Sequence, residues 1–401
     1  MDDAQASVAL REHNGLELLR EADIHRHQGE LISKLASNRY AVDQDTDVYN
    51  LAEAMEKAPQ LFAVGVVDNA GAPLGLISRQ QLFDNLGKMY GRDLFKRKQV
   101  SAMVTPARAF RDDMNIFAVA ELLRDDLHRM DDTWYVLVTA SGAFSGVFST
   151  RNLLIYLSDT TARELSLARR LQTAIVQERF EENDPRFDLV CSSRMAKEVG
   201  GDFYVVKMLD GARTLIGLCD VSGKGIAASL VTAVLGGIFD GYSASGSLPE
   251  FLTRLNRYLY DTFRLEYFVT GVFIELNRDT GEASICDMGH SYVLIMRGKA
   301  LMRLSRKALS PPLGVARDVS PSVRNYRFGH GDLALVFTDG VIEQSNRQGE
   351  EYGEVRLWKA LRSNASLPAA NLRDALLAEL EGYRGEQPQG DDVTFVILRY
   401  R

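Results

Sequence analysis

From Phe187 to Arg401 the chain alternates short apolar runs with turn residues, and four times an aspartate close to glycine stands where such a run begins or ends. The runs FDLVCSSRM, DFYVVKML, RTLIGLCD, FVTGVFIEL, EASICDM, SYVLIMR, DLALVFTD and DVTFVILRY have the length, the β-branched and aromatic content and the flanking turn signals of strands. Residues 226–239 form an apolar run too long for one strand, and 249–263, 354–361 and 369–381 carry apolar residues at helical spacing. The expected class is α+β, built on antiparallel strands.

The four aspartate positions are Gly200-Gly201-Asp202, Asp220-Val221-Ser222-Gly223, Thr338-Asp339-Gly340 and Gly390-Asp391-Asp392. A carboxylate at a strand end is held by a rigid scaffold, and glycine beside it admits backbone or a hydrated ion at close range. One Asp-Gly pair is usually only a turn; four in one domain point to a shared site. Carboxylates without His or Cys partners make a hard oxygen site that suits Mg²⁺ or Mn²⁺ and disfavours Zn²⁺. Two such ions side by side activate water and neutralise a phosphoryl group under in-line attack, so phosphate-ester hydrolysis is the favoured chemistry. Ser222-Gly223-Lys224-Gly225 fails as a Walker phosphate loop because Gly225 stands where Ser or Thr is required. His290 either bonds backbone to orient a strand, the favoured reading, or sits near the metals.

Ahead of this region lies an internal repeat. Residues 64–86 (VGVVDNAGAPLGLISRQQLFDNL) resemble 136–157 (VLVTASGAFSGVFSTRNLLIYL), with Gly75 and Gly146, Ser78 and Ser149, and Leu82 and Leu153 at a common offset of 71. Each copy reads as strand, glycine turn, strand, and a helix opened by a Ser cap, and an amphipathic helix precedes it. Residues 153–180 lack Gly and Pro and place apolar or small side chains at Leu154, Leu157, Thr161, Leu165, Ala168, Leu171 and Ile175. That spacing predicts a long linker helix ended by Asn183-Asp184-Pro185, its stripe turned to the neighbouring domain or to the same helix of a second chain. The expected divisions are a helical segment over 1–30, the repeat over 31–158, the linker helix over 159–184 and the strand-rich domain over 185–401.

Composition narrows the function classes. A chain of 401 residues implies two or three domains. Its 47 Lys plus Arg against 54 Asp plus Glu, with no basic block, offer little counterion-release affinity for nucleic acid. The longest apolar run falls short of the roughly 20 residues that span a bilayer, and the charged N-terminus lacks a signal-peptide core, so a cytoplasmic protein with no membrane partner is expected. Cys191, Cys219 and Cys286, widely spaced and odd in number, read as buried thiols.

The order GGDFY, DVSGKG, TDG and GDDVT, with DMGHS, SPPLGV and TDGVIEQSNRQGEEYG between, resembles the bacterial branch of the metal-dependent Ser/Thr protein phosphatases typified by sporulation stage II protein E. The resemblance implies a phosphatase β-sandwich flanked by helices, with two Mn²⁺ or Mg²⁺ ions. It makes Asp220 the bridging ligand, places the Val221 carbonyl on the second ion, completes the first site with Asp339 and Asp391, and gives Asp202 a direct or water-mediated role. Asp392 is the weaker twin that caps or orients Asp391. Ser222 stands where eukaryotic relatives carry a His. The implied substrate is a phosphorylated anti-sigma-factor antagonist or a similar partner-switching protein. The repeat resembles a tandem pair of cystathionine-β-synthase-type (CBS) domains. That family's ribose-binding Asp is replaced by Gln81 and Asn152, so weak nucleotide binding and a dimerisation and coupling role are expected, with a homodimer. The rival class is a non-catalytic sensor or docking protein, which loss of the metal Asp residues would have favoured.

Overall fold

Along the strand Val393–Tyr400 successive side chains are buried on alternate faces, Phe395 and Ile397 in one apolar cluster, Val396 and Leu398 in another. A strand covered on both sides needs a layer on each side of its sheet. In the computed structural model, which describes residues 18–22, 29–129, 131–243, 246–303 and 310–401, that sheet has six antiparallel strands. Their order is Ala300–Arg303, Val293–Arg297, Leu333–Phe337, Val393–Tyr400, Phe187–Arg194 and Arg179–Asp184. Helices Gly353–Ser363 and Ala369–Arg384 cover one face. The other meets a five-stranded antiparallel sheet ordered Asp202–Met208, Arg213–Val221, Val269–Asn277, Glu282–Met288 and Val323–Arg327. Helices Ile226–Asp240 and Leu248–Phe263 cover its outer face, where Phe239 stacks on Phe203 and Phe273 at ring-centroid distances of 5.8 and 5.4 Å. The unit Arg163–Arg401 is thus an α+β sandwich of two sheets flanked by helices, as expected.

The linker expectation needs correction. The helix Thr150–Ile175 ends before Phe180, and Arg179–Asp184 is an edge strand paired with Phe187–Arg194. Its residues alternate exposed and half-buried, a period-two pattern, and the ladder to a central strand supplies hydrogen bonds that a frayed helix end lacks. The boundary between the two compact units, Met1–Ala162 and Arg163–Arg401, falls inside that helix.

The unit Met1–Ala162 carries the repeat in three dimensions. In each copy a short strand runs parallel to a second, which pairs antiparallel with a third: Tyr40–Asp43, Ala63–Val67 and Pro73–Ser78 in one, Ala109–Arg111, Trp134–Val138 and Phe144–Ser149 in the other. Both hairpins shift register at equivalent places, between Val66 and Val67 and between Leu137 and Val138, at the same offset of 71. Each copy borrows a segment: Ile32 and Leu35 enter the core of the second, Val100 and Met103 that of the first. Gln81 donates to the Met103 carbonyl at 2.7 Å and accepts from the Thr105 hydroxyl at 2.9 Å, while the Asn152 amide oxygen accepts from Ser149 N at 2.9 Å. Of the helical segment expected over 1–30, residues 1–17 and 23–28 lie outside the described residues. Within it Arg20–Glu21 is instead a strand beside Tyr40–Asp43, fastened by an Arg20–Asp43 ion pair of 2.7 Å. Among the described residues no helix is long and apolar enough to cross a membrane.

Candidate active site

Strand register brings the first carboxylates together. Asp202 opens its strand directly opposite Asp220, and Asp220 lies opposite Thr270 on the next strand, so three polar side chains share one face at one end of the sheet. Asp220 and Val221 line a cavity of about 470 Å³, with Asp339 and Asp391 converging from the other sheet. Asp202 sits behind it, only 5% exposed, with one carboxylate oxygen accepting from the Thr338 hydroxyl at 2.9 Å.

Asp339 opens a single 3₁₀ turn, Asp339–Val341, after the strand Leu333–Phe337. One turn further along stands Glu343, and carboxylate oxygens of Asp339, Glu343 and Asp391 lie within 4.8 Å of one another. Glu343 escaped the sequence reading, although its spacing of four from Asp339 puts both on one side of a helical turn. Lys224 also reaches this cluster, its Nζ 2.6 Å from Asp391 Oδ2 and 3.1 Å from the Gly390 carbonyl.

Asp392 does structural work. Its Oδ1 accepts from Ala196 N and its Oδ2 from Gly201 N, each at 2.7 Å, which ties the Gly200-Gly201 turn to the last strand. The approach leaves no space for side chains: a Cβ on Gly200 would lie 2.2 Å from Asp392 Oδ2, and one on Gly340 1.9 Å from the Asp392 carbonyl. At Gly200 and Gly340 glycine is thus required by the close approach of Asp392.

Residues 210–401, just under half of the chain, match the family model for stage II sporulation protein E (SpoIIE). That match lies wholly within the C-terminal unit, Arg163–Arg401. The chain is 24% identical over 243 residues to phosphoserine phosphatase RsbP of Bacillus subtilis (strain 168), covering 59% of this chain and 58% of that protein. To phosphoserine phosphatase RsbU of the same organism it is 23% identical over 320 residues, 78% of this chain and 91% of that protein. The SiaA-PP2C domain of Pseudomonas aeruginosa shares the fold, with a TM-score of 0.52 at 22% identity over 61% of this chain and 99% of that structure.

Two other polar groups beside the carboxylates, His290 and Ser222, hold the surrounding backbone in place. His290 is buried, its Nε2 2.8 Å from the Phe337 carbonyl and its Nδ1 3.0 Å from Thr270 Oγ1. A carbonyl only accepts, so Nε2 carries the proton and Nδ1 accepts from the threonine. Burial pushes the imidazole down to about 4, so it is neutral at physiological pH. This is the packing role expected of it. Ser222 Oγ accepts from Phe268 N at 2.9 Å, which pins the loop after Asp220 to the neighbouring strand. All three cysteines are buried and free.

The C-terminal part of the helix Thr150–Ile175, within the unit Arg163–Arg401, packs on the strand ends through a residue that sequence reasoning passed over. Gln172, only 3% exposed, accepts from Gly200 N at 3.0 Å, donates to Gly200 O at 2.7 Å and lies 2.9 Å from Thr232 Oγ1. A polar residue inside an apolar stripe was the available signal. It grips the turn that carries Asp202.

Burial and mutual repulsion dominate the electrostatics. Burial, then the charges of Asp339, Asp391 and Asp392, pushes the Asp220 carboxyl up to about 7, against a small opposing pull from Lys224. Burial first and the Asp220 charge second hold Asp202 well above the usual carboxylate range. Asp339 and Glu343 are raised by burial and then by neighbouring carboxylates. So much confined negative charge calls for cations.

Proposed function

We propose that this chain is a Mn²⁺- or Mg²⁺-dependent phosphatase that hydrolyses phosphoserine or phosphothreonine on a partner protein of the anti-sigma-factor-antagonist type. The observation that carries the reading is the convergence of Asp220, Asp339 and Asp391 on one open cavity at the strand ends. The donor set fits hard divalent cations: it is all carboxylate, its members repel one another, and both His290 nitrogens are occupied elsewhere. Asp220, Asp339 and Asp391, with the Val221 carbonyl and Asp202 behind, would hold two ions, and Glu343 is placed to join them. When bound, such a pair supplies Lewis acidity toward water and toward phosphoryl oxygens.

The chain's own groups set the geometry. Asp202 and Thr338 fix the sheet end from behind, Asp392 fixes the Gly200-Gly201 turn, and His290 locks Thr270 to the opposite sheet. Ser222 Oγ accepts from Phe268 N, and an aliphatic hydroxyl is too weak an acid to serve as proton donor, so the leaving-group proton is assigned to water rather than to Ser222. The relatives RsbP and RsbU are named phosphoserine phosphatases, which supports the substrate class. The repeat unit would act as a CBS-like regulatory pair in a homodimer, signalling through the helix that carries Gln172.

The test compares phosphate release from a phosphoserine protein, from free phosphoserine and from an aryl phosphate, in Mn²⁺ and in EDTA. Metal-dependent turnover that favours the phosphoprotein supports the reading; absence of turnover with every substrate in Mn²⁺ leaves a docking domain in its place.

A further inference from the structure

Asp391 offers two oxygens, and the structure spends both. Oδ1 accepts from Asp392 N at 2.9 Å, and Oδ2 carries the Lys224 ammonium at 2.6 Å, so a metal that took either oxygen would have to displace a partner. Lys224 is half exposed and lines the same cavity as Ser222, Thr270 and Ser291. Gly223 and Gly225 flank it with φ of 91° and 85°, a region L side chains rarely adopt, and these turns set the lysine at the cavity mouth.

We propose that Lys224 is a tethered counter-cation. Without metal its ammonium holds the Asp391 oxygen that a metal would take; once displaced it stays in the cavity and binds the phosphoryl group of the substrate. The inference rests on the two-metal reading above. An ammonium on one carboxylate and one carbonyl, half open to water, is a weak pair, whereas a divalent ion shared among several carboxylates is held much more firmly. Displacement therefore goes one way. The freed ammonium is a compact point charge on a flexible stem, and the anion nearest to it in an occupied site is a phosphoryl group. One residue would then neutralise the empty cluster and later help to seat the substrate.

The test uses the full chain as wild type, Lys224→Met and Lys224→Arg, titrated calorimetrically with Mn²⁺ without substrate and then assayed for inhibition by inorganic phosphate. Lys224→Met should bind Mn²⁺ about three- to tenfold more tightly, the gain from losing a weak competing ion pair. The same variant should lose about tenfold or more in phosphate affinity and show a raised KM with a smaller change in kcat. Lys224→Arg should return both quantities toward wild type. Unchanged or weaker Mn²⁺ binding in Lys224→Met overturns the proposal, as does unchanged phosphate inhibition. Failure of the wild type itself to bind Mn²⁺ would overturn the metal reading on which it stands.

Discussion

Replacing Asp220 with Asn should make the metal-free protein more stable while it destroys activity. The folded-state carboxyl titrates near 7 and an unfolded one near 3.9, so between those values the folded protein binds the extra proton. Stability then falls as pH rises through this window and is lowest above 7. At 1.36 kcal/mol per pKa unit the cost approaches ~4 kcal/mol at pH 8, and about 2 kcal/mol once partial solvent access is counted. Asn keeps the shape and removes the charge. Urea denaturation in EDTA should show Asp220→Asn more stable than wild type at pH 8, with the gap shrinking by more than half at pH 5. Adding Mn²⁺ should reverse the order, because metal stabilises the wild type by binding the native state and the variant lacks the central ligand. A variant less stable than wild type in EDTA at pH 8 would show that Asp220 is held by favourable contacts, and the argument from crowded charge would be wrong.

Other outcomes follow from the same geometry. Gln172→Ala strands a buried amide and carbonyl on Gly200, which should cost about 2–4 kcal/mol in the catalytic unit and weaken Mn²⁺ binding through the turn that carries Asp202; calorimetry and thermal unfolding check both, and unchanged Mn²⁺ affinity would reduce the helix to a tether. His290 has a depressed folded value of about 4, so its contribution is intact above 6.5 and is lost as pH falls toward 4, by up to ~3 kcal/mol; His290→Asn should flatten that part of the acid-denaturation profile. Calorimetric titration of the full chain with AMP, ADP and ATP should show no submicromolar binding, since Gln81 and Asn152 are committed to internal hydrogen bonds; tight binding of any of them would make the repeat an adenylate sensor.

Much of the architecture was legible because each device is local. Apolar runs with aspartate at their ends marked the strands beside Asp202, Asp220, Asp339 and Asp391, and the offset of 71 marked the repeat, whose two hairpins shift register at that same offset. In the C-terminal unit the strands that escaped are edges. Arg179–Asp184 and Val323–Arg327 are polar and alternate exposed with half-buried positions, so neither presents an apolar run, and the first continues without a break in composition from a helix. Glu343 and Gln172 escaped for another reason: their roles depend on which groups the fold sets opposite them, Asp391 in one case and Gly200 in the other. Sequence spacing hinted at the first and an oddly placed polar residue at the second. Lys224 was dismissed with the phosphate-loop motif it fails to complete, and its ion pair with Asp391, far along the chain, could be seen only once the strand ends were assembled.

The central claim is that one cavity, bounded by Asp220, Asp339 and Asp391, holds the metal ions of a phosphatase. Crystals grown with Mn²⁺ and measured at the manganese absorption edge test it directly. Two anomalous peaks among these three carboxylates, both adjoining Asp220, are the predicted result, and both should vanish in Asp220→Asn. An empty cavity at millimolar Mn²⁺, or peaks confined to surface carboxylates elsewhere, would contradict it.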